Sequence, residues 1–221
     1  ANTVLASLRK CEDPEGPNLA YEKPAITGDR PLAEIDEDLP GLARFTSDML
    51  TEGAADWDAD ALALRLEERA IRLSTGSLRD MAWMSVRSLT DPEVLDVALD
   101  TGRAVLAAPR FDEEAVERVR QQLQIGLRSS LQSPGTVAKR RFFRTLYADH
   151  PYAHAPDGEE HSLAAIRIED LRRFHARYYV AANAVIAIVG DVDRARAEQI
   201  VERLIADLPR GEHAPVLPPV P

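Results

Sequence analysis

The sequence contains a single cysteine, Cys11, so no disulfide can form within the chain. Lysine is nearly as scarce, found only at Lys10, Lys23 and Lys139, and the remaining basic side chains are arginine. With 37 acidic against 27 basic residues and no long Lys/Arg run, the balance disfavours a generic nucleic-acid backbone binder, since binding phosphates rewards clustered positive potential. No apolar run approaches the length of a membrane-spanning helix; the best is AVIAIVG at 184–190. A basic segment followed by an apolar one, the mark of a secretory signal, does not open the chain. No glycine-rich fingerprint follows a strand, which argues against dinucleotide and P-loop phosphate binding.

What is present becomes regular at Gly41. Residues 1–40 are rich in breakers, with Pro14, Pro17, Pro24, Pro31 and Pro40 among them, and support one edge strand at most, over Thr3–Leu8 or Leu32–Ile35. Leu42, Phe45, Met49 and Leu50 then recur at helical spacing, with Gly53 as a stop. Asp58 or Asp60 can cap a second helix reaching about Ala70. There the period drops to two: Ile71, Leu73 and Thr75 alternate with polar residues, Thr75-Gly76-Ser77 can turn the chain, and Met81–Leu89 reads as the partner strand.

Thr90 or Asp91 caps the next helix, Pro92 suits its first turn and Pro109 ends it. Ala115, Val119, Leu123, Leu127 and Leu131 fall four apart and define the clearest amphipathic helix. Helices over about 136–146 and from Ile168 to about Tyr178 flank a long polar loop, YADHPYAHAPDGEEHS. NAVIAIVG reads as a buried strand, and Asp193 opens a last helix to about Leu208. This order predicts an α+β domain over 41–208, a mixed and largely antiparallel sheet packed against a layer of helices. Residues 209–221 are a proline-rich tail or a linker to a second domain.

Four stretches, PGLARFTSDMLTEGA (40–54), RFDEEAVERVRQQLQ (110–124), HPYAHAPDGEEHSLAAI (150–166) and LRRFHARYYVAANAVIAIVGDVD (171–193), occur in order. Together they resemble the insulinase/pitrilysin-type (M16) zinc peptidases, the family that includes mitochondrial processing peptidase and its bacterial relatives. In active members the first of these helices carries two histidines four apart with a glutamate before the second. That spacing places two imidazoles and a general base on one helical face, where they hold zinc and activate water. Here the matching positions are Arg44, Ser47 and Asp48.

The family's third ligand, a glutamate, falls near Gln124 by spacing, where Gln121, Gln122 and Gln124 occur and Glu117 lies two turns earlier. Arg44 brings positive charge to where the cation would sit and can instead pair with Asp48 four residues on. His150, His154 and His161 are close in sequence, but Pro151 and Pro156 keep them off one helical face, so loop hydrogen bonding or exposure is their expected role. No histidine is placed near Ser47, and Cys11 lies in an irregular segment, so neither is marked as a nucleophile.

The resemblance therefore implies a subunit with no catalytic residue, no metal and no cofactor of its own. It would help form the peptide-binding chamber beside a related zinc-bearing M16 subunit, with peptide as the shared substrate and without nucleic acid or membrane insertion. The expected setting is the bacterial cytoplasm or periplasm. A purely structural or peptide-binding protein of this fold, and an active metallopeptidase with an atypical site, are the alternatives.

Overall fold

The computed structural model describes residues 2–8, 39–79, 81–214 and 217–220, with side chains described from Leu39 onward. In chain order the elements are β1 (Asn2–Leu8), α1 (Leu42–Met49), the short β2 (Gly53–Ala54) and β3 (Trp57–Asp58), α2 (Ala59–Glu67), β4 (Arg72–Ser77) and β5 (Ala82–Ser88). They continue with α3 (Pro92–Ala107), α4 (Glu113–Ser130), α5 (Pro134–Tyr147), α6 (Glu160–Ala165), α7 (Ile168–Tyr178), β6 (Val185–Val189) and α8 (Arg194–Ile205). The main sheet has the order β4-β5-β1-β6, and each neighbouring pair is antiparallel. The strand expected at Thr3–Leu8 is present but not at an edge, since β1 pairs with β5 on one side and β6 on the other; Leu32–Ile35 and Cys11 lie outside the described residues.

Successive strand residues alternate between faces, and the alternation sorts the two layers. Leu73, Met84, Val86, Ile186 and Ile188 face the helices and join Leu50, Leu62, Ala98, Val105 and Leu204 in one core. Arg72, Ser74 and Arg87, from the intervening positions, are exposed. A second core lies between helices: Phe45 and Met49 of α1 meet Val116, Val119 and Leu127 of α4, Leu163 of α6, and Leu171 and Phe174 of α7. Asp58, Asp91 and Asp193 cap α2, α3 and α8 by accepting from backbone N–H groups of the first turn.

Three further expectations are corrected. The turn between β4 and β5 is not Thr75-Gly76-Ser77. β4 runs through Ser77, and the reversal is at 78–81, where the Leu78 N–H donates to the Met81 carbonyl over 2.7 Å. Gly76 pairs opposite Trp83, and a Cβ added to it would lie 2.7 Å from the indole, so the glycine makes room for a ring rather than a bend. The strand within NAVIAIVG is not buried, because β6 is an edge strand and Val189 is 62% exposed. The polar loop also contains a helix, α6, whose Ser162 Oγ donates to the Pro40 carbonyl (2.6 Å) and accepts from the Glu159 N–H (3.0 Å).

The same contact fixes the loop before α6 against α1. Gly158, at φ 76°, sits so close to the start of α1 that a Cβ there would be 2.5 Å from the Pro40 carbonyl oxygen. The loop is therefore fastened to the N-terminus of α1, beside Arg44. Past α8 the chain stays in contact with the domain: the Pro209 and Arg210 carbonyls accept from the N–H groups of Ala181 and Ala182, and the Ala214 N–H donates to Asn183 Oδ1.

Candidate functional site

An open cleft of about 640 Å³ lies where α1, β4, α4 and the 148–159 loop meet. α1 and the residues just after it contribute Arg44, Asp48, Thr51 and Glu52; β4 contributes Leu73, Ser74 and Thr75; the loop contributes Asp157. From α4 come Val119, Gln122, Leu123, Gly126, Leu127 and Ser130, which repeat at three- and four-residue intervals and so form one helical face. Gln124 is not among them. It is two residues from both Gln122 and Gly126, about 200° round the helix from each, and so points away from the cleft. Of the α4 residues that do line the cleft, none is acidic, and Gly126 leaves open space where a Cβ would meet nothing within 4 Å.

The charges in the cleft are largely engaged. Arg44 Nε donates to Asp48 Oδ2 over 2.8 Å, and its Nη1 reaches Asp157 Oδ1 at 3.4 Å. Glu52 is held by Arg118 of α4. The Arg44–Asp48 pair is partly solvent-exposed at both ends, 38% and 25%, and contributes only a few tenths of a kcal/mol. Burial pushes the Asp48 carboxyl above the ordinary carboxylate range; Arg44 opposes this through its hydrogen bond and charge, while Asp157 and Glu52 add to it.

Ser47 lies behind this surface rather than in it. It is fully buried, its carbonyl accepts from Thr75 Oγ1 over 2.9 Å, and its hydroxyl makes no hydrogen bond of good geometry. The Tyr179 hydroxyl is likewise unpaired. The two are near neighbours: burial raises the Tyr179 phenol above its ordinary value, and the adjacent Ser47 hydroxyl opposes that rise. Tyr179 stacks on His175 at 4.9 Å, and His175 Nε2 is 2.8 Å from the Leu106 carbonyl. Spacing along the chain gave no sign of this Ser47–Tyr179–His175 series, because α7 returns to α1 only through the tertiary fold.

The histidines singled out in sequence do not reach the cleft. His150 is buried; its Nδ1 accepts from the Tyr152 N–H and its Nε2 is 3.2 Å from the Pro218 carbonyl. His154 is partly exposed and His161 is exposed. Among the described residues no group of three or more His, Cys, Asp or Glu is placed to hold a metal ion, and none of their helices is long and apolar enough to cross a membrane. The cleft residues do not suit zinc: no imidazole lines it, and Arg44 occupies two of its carboxylates.

Residues 33–155 match the model for the insulinase family, peptidase family M16. The chain belongs to this family. Residues 165–221 match a second model, described as the peptidase M16 inactive domain. The chain is similar to the crystal structure of a peptidase M16 inactive domain from Pseudomonas fluorescens, with 32% identity and a TM-score of 0.81 over all of this chain and 47% of that one. It is 27% identical over 180 residues to the non-peptidase homolog YmxG of Helicobacter pylori, covering 80% of this chain and 40% of that protein. Over the same length it is 23% identical to an uncharacterized zinc protease of Rickettsia felis, 43% of which is covered. The chain thus spans less than half the length of these relatives.

Proposed function

We propose that this chain acts as a non-catalytic part of an M16-type peptidase assembly, forming one wall of a peptide chamber while a related zinc-bearing partner supplies the chemistry. The observation that carries this reading is the Arg44–Asp48 pair on the cleft face of α1. On this reading Arg44, Ser47 and Asp48 occupy the positions of the first imidazole, the base and the second imidazole. Arg44 carries a fixed positive charge, Ser47 is buried, and Asp48 is tied to Arg44. The third ligand position, near Gln124 by spacing, lies on α4, and no carboxylate of α4 lines the cleft.

What remains suits binding. Among the described residues no strand pairs with the outer edge of β4, and Leu73, Ser74 and Thr75 of that strand border the cleft. An extended peptide can add to such an edge by main-chain hydrogen bonds. Asp48, Glu52 and Asp157 outnumber Arg44 and the Arg118 that holds Glu52, a small acidic excess that favours basic peptides. A peptide held in this way reaches the partner's zinc with less freedom left to lose, so a wall without catalytic atoms still raises the rate.

The test is peptide cleavage by the purified chain alone, by a co-expressed relative carrying an intact histidine–glutamate–histidine helix, and by the two together. The expected result is no cleavage by the chain alone and a higher kcat/KM for the mixture than for the relative. Cleavage by the isolated chain with stoichiometric zinc overturns the proposal; a mixture no faster than the relative alone supports a purely structural role instead.

A further inference from the structure

A second concavity, of about 420 Å³, lies away from the cleft between α2, α3 and the β2–β3 turn. Its wall is apolar, formed by Ala55, Trp57, Ala104, Ala107 and Ala108, and its charged lining is Arg65, Asp100, Arg103 and Asp207. Size and lining are those of a small-molecule site: mostly apolar surface with a few polar groups that fix orientation.

The charged residues are not equivalent. Arg103 is paired with Asp207 (3.3 Å) and lies near Asp100 (3.8 Å), and Asp100 is also held by Arg203 at 3.0 Å. Arg65, among the described residues, has no carboxylate partner. It is nevertheless fixed in place. Its Nε donates over 3.0 Å to the Oγ1 of Thr101, a fully buried side chain whose hydroxyl in turn donates to the Val97 carbonyl, and its guanidinium lies over the Trp57 ring at 4.3 Å. A planar guanidinium held by one nitrogen and one face, with its two terminal nitrogens free of any carboxylate, is preorganised for a fork-shaped anion.

We infer that this concavity binds a monocarboxylate, its carboxylate on the Arg65 guanidinium and a compact apolar body against Trp57 and the alanines of α3. The other arginine of the lining, Arg103, is already paired with Asp207 and Asp100, so the concavity offers no second cation for a second negative charge on the ligand. A free small acid and the C-terminal carboxylate of a peptide share this chemistry.

The two tryptophan indole N–H signals in a 15N-correlated NMR spectrum, assigned through Trp57→Phe, provide the readout. Sodium benzoate, benzamide, and a short apolar peptide as its free acid and its C-terminal amide are titrated into the chain. Benzoate or the peptide acid is expected to shift the Trp57 signal saturably while the matching amide does not, and the responding acid identifies the source. Arg65→Met, which keeps the stem and removes the fork, is expected to weaken binding about tenfold or more. Ala104→Phe, which fills the concavity and keeps Arg65, is expected to abolish it and serves as the decisive variant if Arg65→Met does not fold. Equal shifts from acid and amide, no saturable shift from either acid, or unchanged binding in Ala104→Phe would overturn the inference.

Discussion

The two faces of α1 have separate constraints. Leu42, Phe45 and Met49 on one face are buried against α4, α6 and α7, and the helix depends on them for its position. On the other, Arg44 and Asp48 meet an open cleft and each other. Packing selects volume and apolarity on the inner face, where a lost methylene leaves a cavity. On the outer face it selects almost nothing, so polar groups can be exchanged there without loss of the fold. Ser47 sits at the border, buried but with an unpaired hydroxyl beside Tyr179, and marks where one regime passes into the other.

Substitutions can break this contrast. Phe45→Ala empties a fully buried site between four helices and is expected to destabilise by about 3–5 kcal/mol in a chemical denaturation series. Gly158→Ala drives a Cβ to 2.5 Å from the Pro40 carbonyl oxygen at a positive φ, and is expected to cost roughly 1–3 kcal/mol and to loosen the loop that carries Asp157.

A pH series probes the support behind the cleft. Burial lowers the pKa of His175 below its ordinary 6.5, with the Leu106 carbonyl opposing. The folded state therefore holds fewer protons than the unfolded one below pH 6.5, so stability is lost as the pH falls through that value toward the folded pKa. In His175→Gln, thermal denaturation between neutral and mildly acidic pH is expected to show a shallower loss.

The cleft face is expected to respond weakly. Gly126→Ala, in a helix interior with open space around the new Cβ, is expected to stabilise by about 0.5–1 kcal/mol. Asp48→Asn removes a carboxyl whose folded pKa lies above 3.8, so the wild-type chain loses stability as Asp48 ionises with rising pH, and the variant does not. Its stability at neutral pH is expected to fall within about 0.5 kcal/mol of wild type or above it. A loss comparable to that of Phe45→Ala would show the two faces to be equally constrained.

Much of the fold was legible in the sequence. The apolar repeat from Ala115 produced α4, aspartates marked the caps of α2, α3 and α8, and the change of period after Ala70 marked the β4–β5 hairpin. What escaped was set by tertiary contact. Gly76 looks like a turn residue until Trp83 is laid over it, and β6 looks buried until its place at the sheet edge is known. In the cleft, Arg44 and Asp48 were legible as an i,i+4 pair because both lie on one helix. That Gln124 does not line the cleft was not legible, because the α4 face turned toward it depends on how two helices dock, which chain spacing does not fix. Asp157 was not singled out either, since it reaches Arg44 only through the Gly158–Pro40 contact.

Zinc retention by the purified chain tests the central claim most directly. After equilibration with excess zinc and exhaustive dialysis, the metal content per chain is measured for wild type and for Asp48→Ala. The paired and imidazole-free cleft predicts far less than one zinc per chain in both proteins. One zinc per chain in the wild type, lost in Asp48→Ala, would contradict it.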